Sequence, residues 1–144
     1  MATNRKEIRI LLAQADSANR AVLEKQLERW ALPFHSVENG EDALEYFLNH
    51  HYDLVLMDVQ MPHMCGIEAT EQIKTFEERE ERSCHVPIIA LTADATEATA
   101  KRCRDVGMID VVVKPYDSYD LRMMLYFYLG NLWKMRSIKI EGQD

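Results

Sequence analysis

Five short apolar runs punctuate the chain: IRILLA at 8–13, the weaker PFHSV at 33–37, YDLVLM at 52–57, VPIIAL at 86–91 and DVVVK at 110–114. Three carry unbroken Val, Ile and Leu, the pattern of strands buried on both faces. Between them lie helix-length segments. In SANRAVLEKQLERW the positions Ala21, Val22, Leu27 and Trp30 fall near one face, and Ser17 is the expected N-cap. Asn39 caps a second helix in which Ala43, Leu44, Phe47 and Leu48 recur at three- and four-residue steps. A third runs from about Ile67 into the charged tail EEREERS, which reads as a solvated helix end. The fourth, EATAKRCRDV, is closed by Gly107, and the fifth begins near Ser118 and carries Leu121, Met124, Leu125, Phe127, Tyr128 and Leu132. Strand then helix, five times over with short connections, predicts an α/β protein: a parallel sheet covered by helices on both faces. In such open sheets a ligand sits beyond the carboxyl ends of the strands.

The 144 residues suit a single domain, and the 47% hydrophobic and 28% charged residues match a chain that folds around a core. A net charge of -7 opposes phosphate backbones and anionic lipid, so neither nucleic acid nor a membrane is an expected partner. Cys65, Cys84 and Cys103 lack C-x-x-C spacing, which disfavours a disulfide framework or a zinc site and fits reduced thiols of a cytoplasmic protein. No apolar stretch reaches the length of a signal peptide core or a membrane span, although a larger parent could be membrane-bound with this piece on its cytoplasmic side.

Directly after the runs stand Gln14, Ala15 and Asp16 (first), Asp58 (third), Thr92 (fourth) and Lys114 (fifth). A carboxylate, a hydroxyl and an ammonium that converge at one sheet edge suit phosphoryl transfer onto the carboxylate: Asp58 attacks, while Thr92 and Lys114 hold the oxygens of the transferred group. Mg²⁺ commonly shares such work, bound by one or two carboxylates and waters.

The segments LVLMDVQMPHMCGIEATEQIK, IIALTADAT and VVVKPY resemble the phosphoacceptor, threonine and lysine segments of response regulator receiver domains, in a near-gapless match from about residue 7 to 130. The resemblance implies a flavodoxin-like (βα)5 fold with sheet order 2-1-3-4-5, and a receiver domain over 7–130 followed by a helix end and tail over 131–144. It implies that Asp58 takes a phosphoryl group from a histidine of a partner kinase or histidine phosphotransfer protein, with Mg²⁺ held by Asp58 and the backbone carbonyl of Gln60. It also implies a cis Lys114–Pro115 bond, and a role as a phosphoacceptor module rather than an enzyme. The wording MDVQMP and the Asn19-Arg20 pair are similar to receivers attached to hybrid sensor histidine kinases, although stand-alone regulators share them.

Two departures from the family pattern stand out. Where receivers carry a pair of acidic residues at the end of the first strand, this chain has Gln14 and Ala15, so a metal ligand is deleted and weakened Mg²⁺ binding is expected. Asp16 is the remaining candidate ligand. A one-residue backbone shift would bring it inward, against which the match resumes without a gap at Asn19 and Arg20. The second departure is Val111, three residues before Lys114, where an aromatic residue often couples phosphorylation to the output face. These losses leave a second reading open: a degenerate receiver that binds proteins without phosphorylation. Flavodoxin-type and haloacid dehalogenase-type enzymes fit poorly, since ADSANR has no glycine for a phosphate loop and no D-x-D follows the first strand.

The remaining features read as packing or surface. His35, His50, His51, His63 and His85 lack ligand spacing and are expected at the surface or at helix ends; Met57, Met61 and Met64 are expected to pack near the site. Tyr119, Met123, Tyr126 and Trp133 would furnish a homodimer patch or join the core, and periodicity does not separate the two.

Overall fold

A computed structural model describes residues 8–82, 85–94 and 96–130. In chain order the elements are β1 (Ile10–Ala13), α1 (Ser17–Arg29), β2 (Phe34–Val37), α2 (Gly40–Asn49), β3 (Leu54–Asp58), α3 (Gly66–Arg79), β4 (Ile88–Thr92), α4 (Glu97–Val106), β5 (Asp110–Val113) and α5 (Ser118–Leu129). The strands form one parallel sheet of order β2-β1-β3-β4-β5. Chain order reverses between β1 and β3, so the crevice for a ligand opens at the ends of those two strands. This is the five-stranded flavodoxin-like architecture expected from the sequence. The expected tail over 131–144, with Leu132 and Trp133, lies outside the described residues, as do residue 7 and Cys84.

The alternation of side chains along each strand builds two cores. Leu11, Ala13, Val55, Met57, Ile88 and Ala90 face one side, where Phe47 of α2, Ile73 of α3 and Cys103 of α4 cover them. Ile10, Leu12, Leu54, Leu56, Ile89 and Leu91 face the other, against Leu23 and Leu27 of α1 and Leu121 and Leu125 of α5. Each fully buried Leu or Ile contributes roughly 1.5–3 kcal/mol by leaving water, and this burial fixes the register.

Several local expectations change. The N-cap of α1 is Asp16 rather than Ser17, because the Asp16 carboxylate accepts from the Asn19 amide at 2.8 Å. Leu23 and Leu27 form the buried stripe of α1, whereas Ala21 and Val22 are exposed. In α2, Ala43 and Phe47 are buried and Leu48 points outward. The valine run of β5 is not covered on both faces: Val112 is buried and Val113 exposed, since an edge strand has a neighbour on one side only. Phe127 also turns outward. The charged tail of α3 is not wholly solvated. Glu77 is completely buried, accepts from the Val86 amide at 2.8 Å and from Lys74 Nζ at 3.1 Å, and so ties α3 to the entry of β4. His35 departs from the surface expectation as well: it sits on β2 with Nδ1 2.6 Å from the hydroxyl of buried Tyr52.

Other expectations match. Asn39 caps α2 through a 2.7 Å bond from the Asp42 amide. Gly107 ends α4 in the left-handed region at φ 109°, which glycine reaches without a Cβ penalty. The Lys114–Pro115 bond is cis. Met57 and Met61 are buried and Met64 packs against the same core.

Candidate functional site

The carboxyl ends of β1, β3, β4 and β5 meet at one edge of the sheet. Asp58 is the last residue of β3, so its backbone is held in the ladder and only its side chain projects beyond the edge. It is 3% exposed, a burial that a lone carboxylate would not tolerate without a partner. The partner is Lys114, whose Nζ lies 3.4 Å from both Asp58 oxygens. The Gln60 amide donates to Oδ1 at 3.1 Å. The geometry is symmetric and loose, which leaves lone pairs on the carboxylate for a further electrophile. Gly66 brings the start of α3 against this turn: its amide donates to the Val59 carbonyl at 3.0 Å, and a Cβ there would run into the Asp58 carbonyl.

Lys114 is placed by β5, and its own amide donates to the Thr92 carbonyl at 2.8 Å, so the hydroxyl-bearing and ammonium-bearing residues are adjacent across the ladder. Thr92 is buried, and its Oγ1 accepts from the Asp94 amide at 3.0 Å, a closed turn within the β4–α4 loop. Asp94 then fastens the loop to α4, with bonds from the Thr99 hydroxyl at 2.7 Å and the Thr96 amide at 2.9 Å that hold its carboxyl below the ordinary range. Asp94 is not among the residues singled out from the sequence, although Asp followed by threonines two and five residues later is an Asx-turn and capping pattern.

The end of β1 is built differently. Gln14 is completely buried, its Nε2 donates to the Tyr116 hydroxyl at 2.8 Å, and its Oε1 is 3.4 Å from the Asp16 amide. Burial first, and then the negative charges of Asp58 and Asp16, push the Tyr116 phenol well above its ordinary pKa, so it is a neutral hydroxyl beside both carboxylates. Arg20 donates to the carbonyls of Gln14 at 2.9 Å and Ala15 at 3.3 Å and lies 3.5 Å from Glu38. With the carbonyls of the two preceding residues clamped by Arg20 and its own carboxylate engaged by the Asn19 amide, Asp16 is exposed and faces α1. The inward shift of Asp16 that the sequence left open is not what the structure adopts. Neither Tyr116 nor Arg20 was singled out as a site residue from the sequence. Tyr116 stood in the quoted VVVKPY, but no local pattern tells that it reaches a residue 102 positions away.

A divalent cation of the Mg²⁺ type requires several oxygen ligands, with carboxylates supplying charge. Among the described residues no group of three or more His, Cys, Asp or Glu is arranged to hold a metal. Of the metal site that the family resemblance implies, Asp58 and the Gln60 carbonyl are present as oxygen donors, while Gln14 and Ala15 stand in place of the acidic pair. Asp58 and Lys114 already balance one another's charge. Val111 is half-buried against the α2–α3–α4 face, and no aromatic ring occupies that position.

Comparison with known proteins agrees with this geometry. Residues 10–126 match the family model described as response regulator receiver domain. The autoinducer 2 sensor kinase/phosphatase LuxQ of Vibrio vulnificus is 34% identical over 126 residues, covering 88% of this chain and 14% of that protein. Hybrid signal transduction histidine kinase G of Dictyostelium discoideum is 32% identical over 128 residues, covering 88% of the chain and 4% of the kinase. The chain thus spans a small fraction of the curated relatives it matches. Among solved structures, the receiver domain of sensor histidine kinase PA1611 from Pseudomonas aeruginosa, with a magnesium ion in its active site cleft, superposes with a TM-score of 0.77 at 32% identity, covering 88% of this chain and 100% of that one. The Saccharomyces cerevisiae receiver domain of Ssk1, crystallised with the histidine phosphotransfer protein Ypd1, gives 0.78 at 26% identity, covering 85% and 88%. Five parallel strands in this order, the match across 10–126 and these relatives lead to one conclusion: the chain belongs to the response regulator receiver domain family.

Proposed function

We propose that Asp58 is the phosphoacceptor of a His-to-Asp relay, and that the chain is a receiver which takes a phosphoryl group from a histidine kinase or histidine phosphotransfer protein. The observation that carries this reading is the Lys114 ammonium equidistant from both oxygens of a buried strand-end carboxylate. In the transfer an Asp58 oxygen attacks phosphorus and an O–P bond forms. The N–P bond of the partner's phosphohistidine breaks, and the imidazole leaves with the electron pair. Lys114 neutralises the charge that gathers on the phosphoryl oxygens, and Thr92, released from Asp94, donates to one of them. The chain supplies the acceptor and positioning groups, while the partner supplies the donor, so it works as a signalling module rather than as an enzyme.

Magnesium enters as the weak element of this reading. Asp58, the Gln60 carbonyl and waters would hold it, Asp16 being engaged as a helix cap, so its affinity would be lower than for a receiver with an intact acidic pair. The relatives support placement in a hybrid kinase. In this reading residues 7–130 are the receiver domain and 131–144 its C-terminal helix end and tail; no described helix is long and apolar enough to cross a membrane. Exposed Tyr119, Met123 and Tyr126 on α5 would serve a homodimer; Trp133 of that expected patch lies outside the described residues.

The test is intact-protein mass after incubation with phosphoramidate, a P–N phosphodonor, and Mg²⁺. Wild type gains one phosphoryl group and Asp58→Ala gains none. If neither gains mass while a cognate kinase domain still binds, the degenerate receiver takes over. That second reading is favoured by one observation, the Gln14–Tyr116 bond that stands where an acidic pair would be.

A further inference from the structure

The two residues after β1, Gln14 and Ala15, form a landing without a carboxylate, and its space is also filled. Gln14 has no exposed surface and uses both ends of its amide, one on the Tyr116 hydroxyl at 2.8 Å and one toward the Asp16 amide. Arg20 holds the Gln14 and Ala15 carbonyls, so the landing cannot open without breaking its contacts. Tyr116 comes from the loop between β5 and α5, two residues after the Lys114 that pairs with Asp58. The phenol therefore spans from the lysine end of the site to the strand end where acidic ligands would stand.

We propose that Gln14 and Tyr116 form a hydrogen-bonded plug that closes the divalent-cation position of this receiver, with Tyr116 as the residue that decides cation exclusion. The inference rests on the reading of Asp58 as the receiver's acidic centre. Its physical basis is a double cost. An entering cation must displace a neutral hydroxyl that offers no charge, and it must leave the fully buried Gln14 amide without its acceptor. Adding a carboxylate at residue 15 restores a ligand but leaves the plug in place.

Calorimetric titration of the full chain with MgCl₂ tests this. Ala15→Asp alone stays within about threefold of wild type, whereas Ala15→Asp combined with Tyr116→Phe binds roughly 10-fold or more tightly than Ala15→Asp, because Phe keeps the ring and removes the hydroxyl. A second route leaves Tyr116 untouched: Gln14→Leu in the Ala15→Asp background also tightens binding. Adding Asp58→Asn to the double variant abolishes the gain. Equal affinity of Ala15→Asp and its Tyr116→Phe derivative overturns the proposal, as does binding that survives Asp58→Asn. No phosphodonor is present in this titration, so its failure is distinguishable from failure of Asp58 to accept a phosphoryl group.

Discussion

Asp58 and Glu77 are both buried carboxylates paired with a lysine, at opposite edges of the same sheet, and they are held in opposite ways. Glu77 is completely enclosed, with a 2.8 Å bond from the Val86 amide, a 3.1 Å bond from Lys74 Nζ and the His85 ring 3.6 Å away. Every strong acceptor site is directed at a fixed donor, as a buried charge requires. Asp58 has one 3.1 Å amide bond and a lysine at 3.4 Å from each oxygen. The first arrangement locks α3 to β4 and has nothing left to react with. The second holds its charge at the rim with acceptor capacity in reserve, which is what the role proposed for Asp58 requires.

The comparison breaks first at Lys114. Lys114→Ala is expected to lower the rate of phosphoryl incorporation on the order of 100- to 1,000-fold, the scale of removing one preorganised charge-stabilising donor, as measured by time-resolved intact mass. Urea denaturation of the same variant shows a smaller stability loss, about 2 kcal/mol, because Lys114 retains some access to water and its pair is not fully buried. Glu77→Ala reverses the pattern: it strands the Val86 amide and Lys74, costs about 3 kcal/mol in the same unfolding experiment, and leaves phosphoryl incorporation at the wild-type rate. A Glu77 variant that folds normally but no longer accepts phosphoryl groups would erase the distinction.

Asp16→Ala is a third, smaller probe. If Asp16 serves as the cap of α1, its loss costs about 1 kcal/mol of stability and leaves Mg²⁺ affinity unchanged by calorimetry. A marked fall in Mg²⁺ affinity would return Asp16 to the metal site. The smallest effect is a pH dependence at the edge that holds Glu77. Burial, and then the charges of Arg9 and His50, lower the pKa of His35 below its ordinary 6.5. The unfolded chain then binds that proton more readily than the folded one. Stability carries no penalty from His35 above pH 6.5 and falls as pH drops below it. Urea midpoints at pH 7.5 and 5.5 should show this fall, flattened in His35→Gln; an identical slope in the variant would remove His35 from the explanation.

The sheet was legible because its information is local: runs such as LVLM and PIIAL, Asn39 as a cap and Gly107 as a stop each act within a few residues. That Asp58, Thr92 and Lys114 lie together was legible because strand ends in a parallel sheet converge by topology alone. What escaped depends on long-range contact. Glu77 sits in a run of six charges and ring-free side chains that reads as solvent-facing until β4 is laid beside it. The Gln14–Tyr116 bond joins the first strand to the last loop, and no periodicity encodes that. Ser17 suits a cap position by residue type, but so does Asp16, and only the reach of the Asp16 carboxylate to the Asn19 amide identifies the cap.

The most direct measurement locates the phosphoryl group. After phosphoramidate treatment, borohydride reduction converts an aspartyl phosphate to homoserine, and peptide mass spectrometry then reads which residue was modified. The account predicts conversion at Asp58 in wild type and in Glu77→Gln, with Glu77 unmodified. Conversion at any other carboxylate, or none in the wild type, would contradict it.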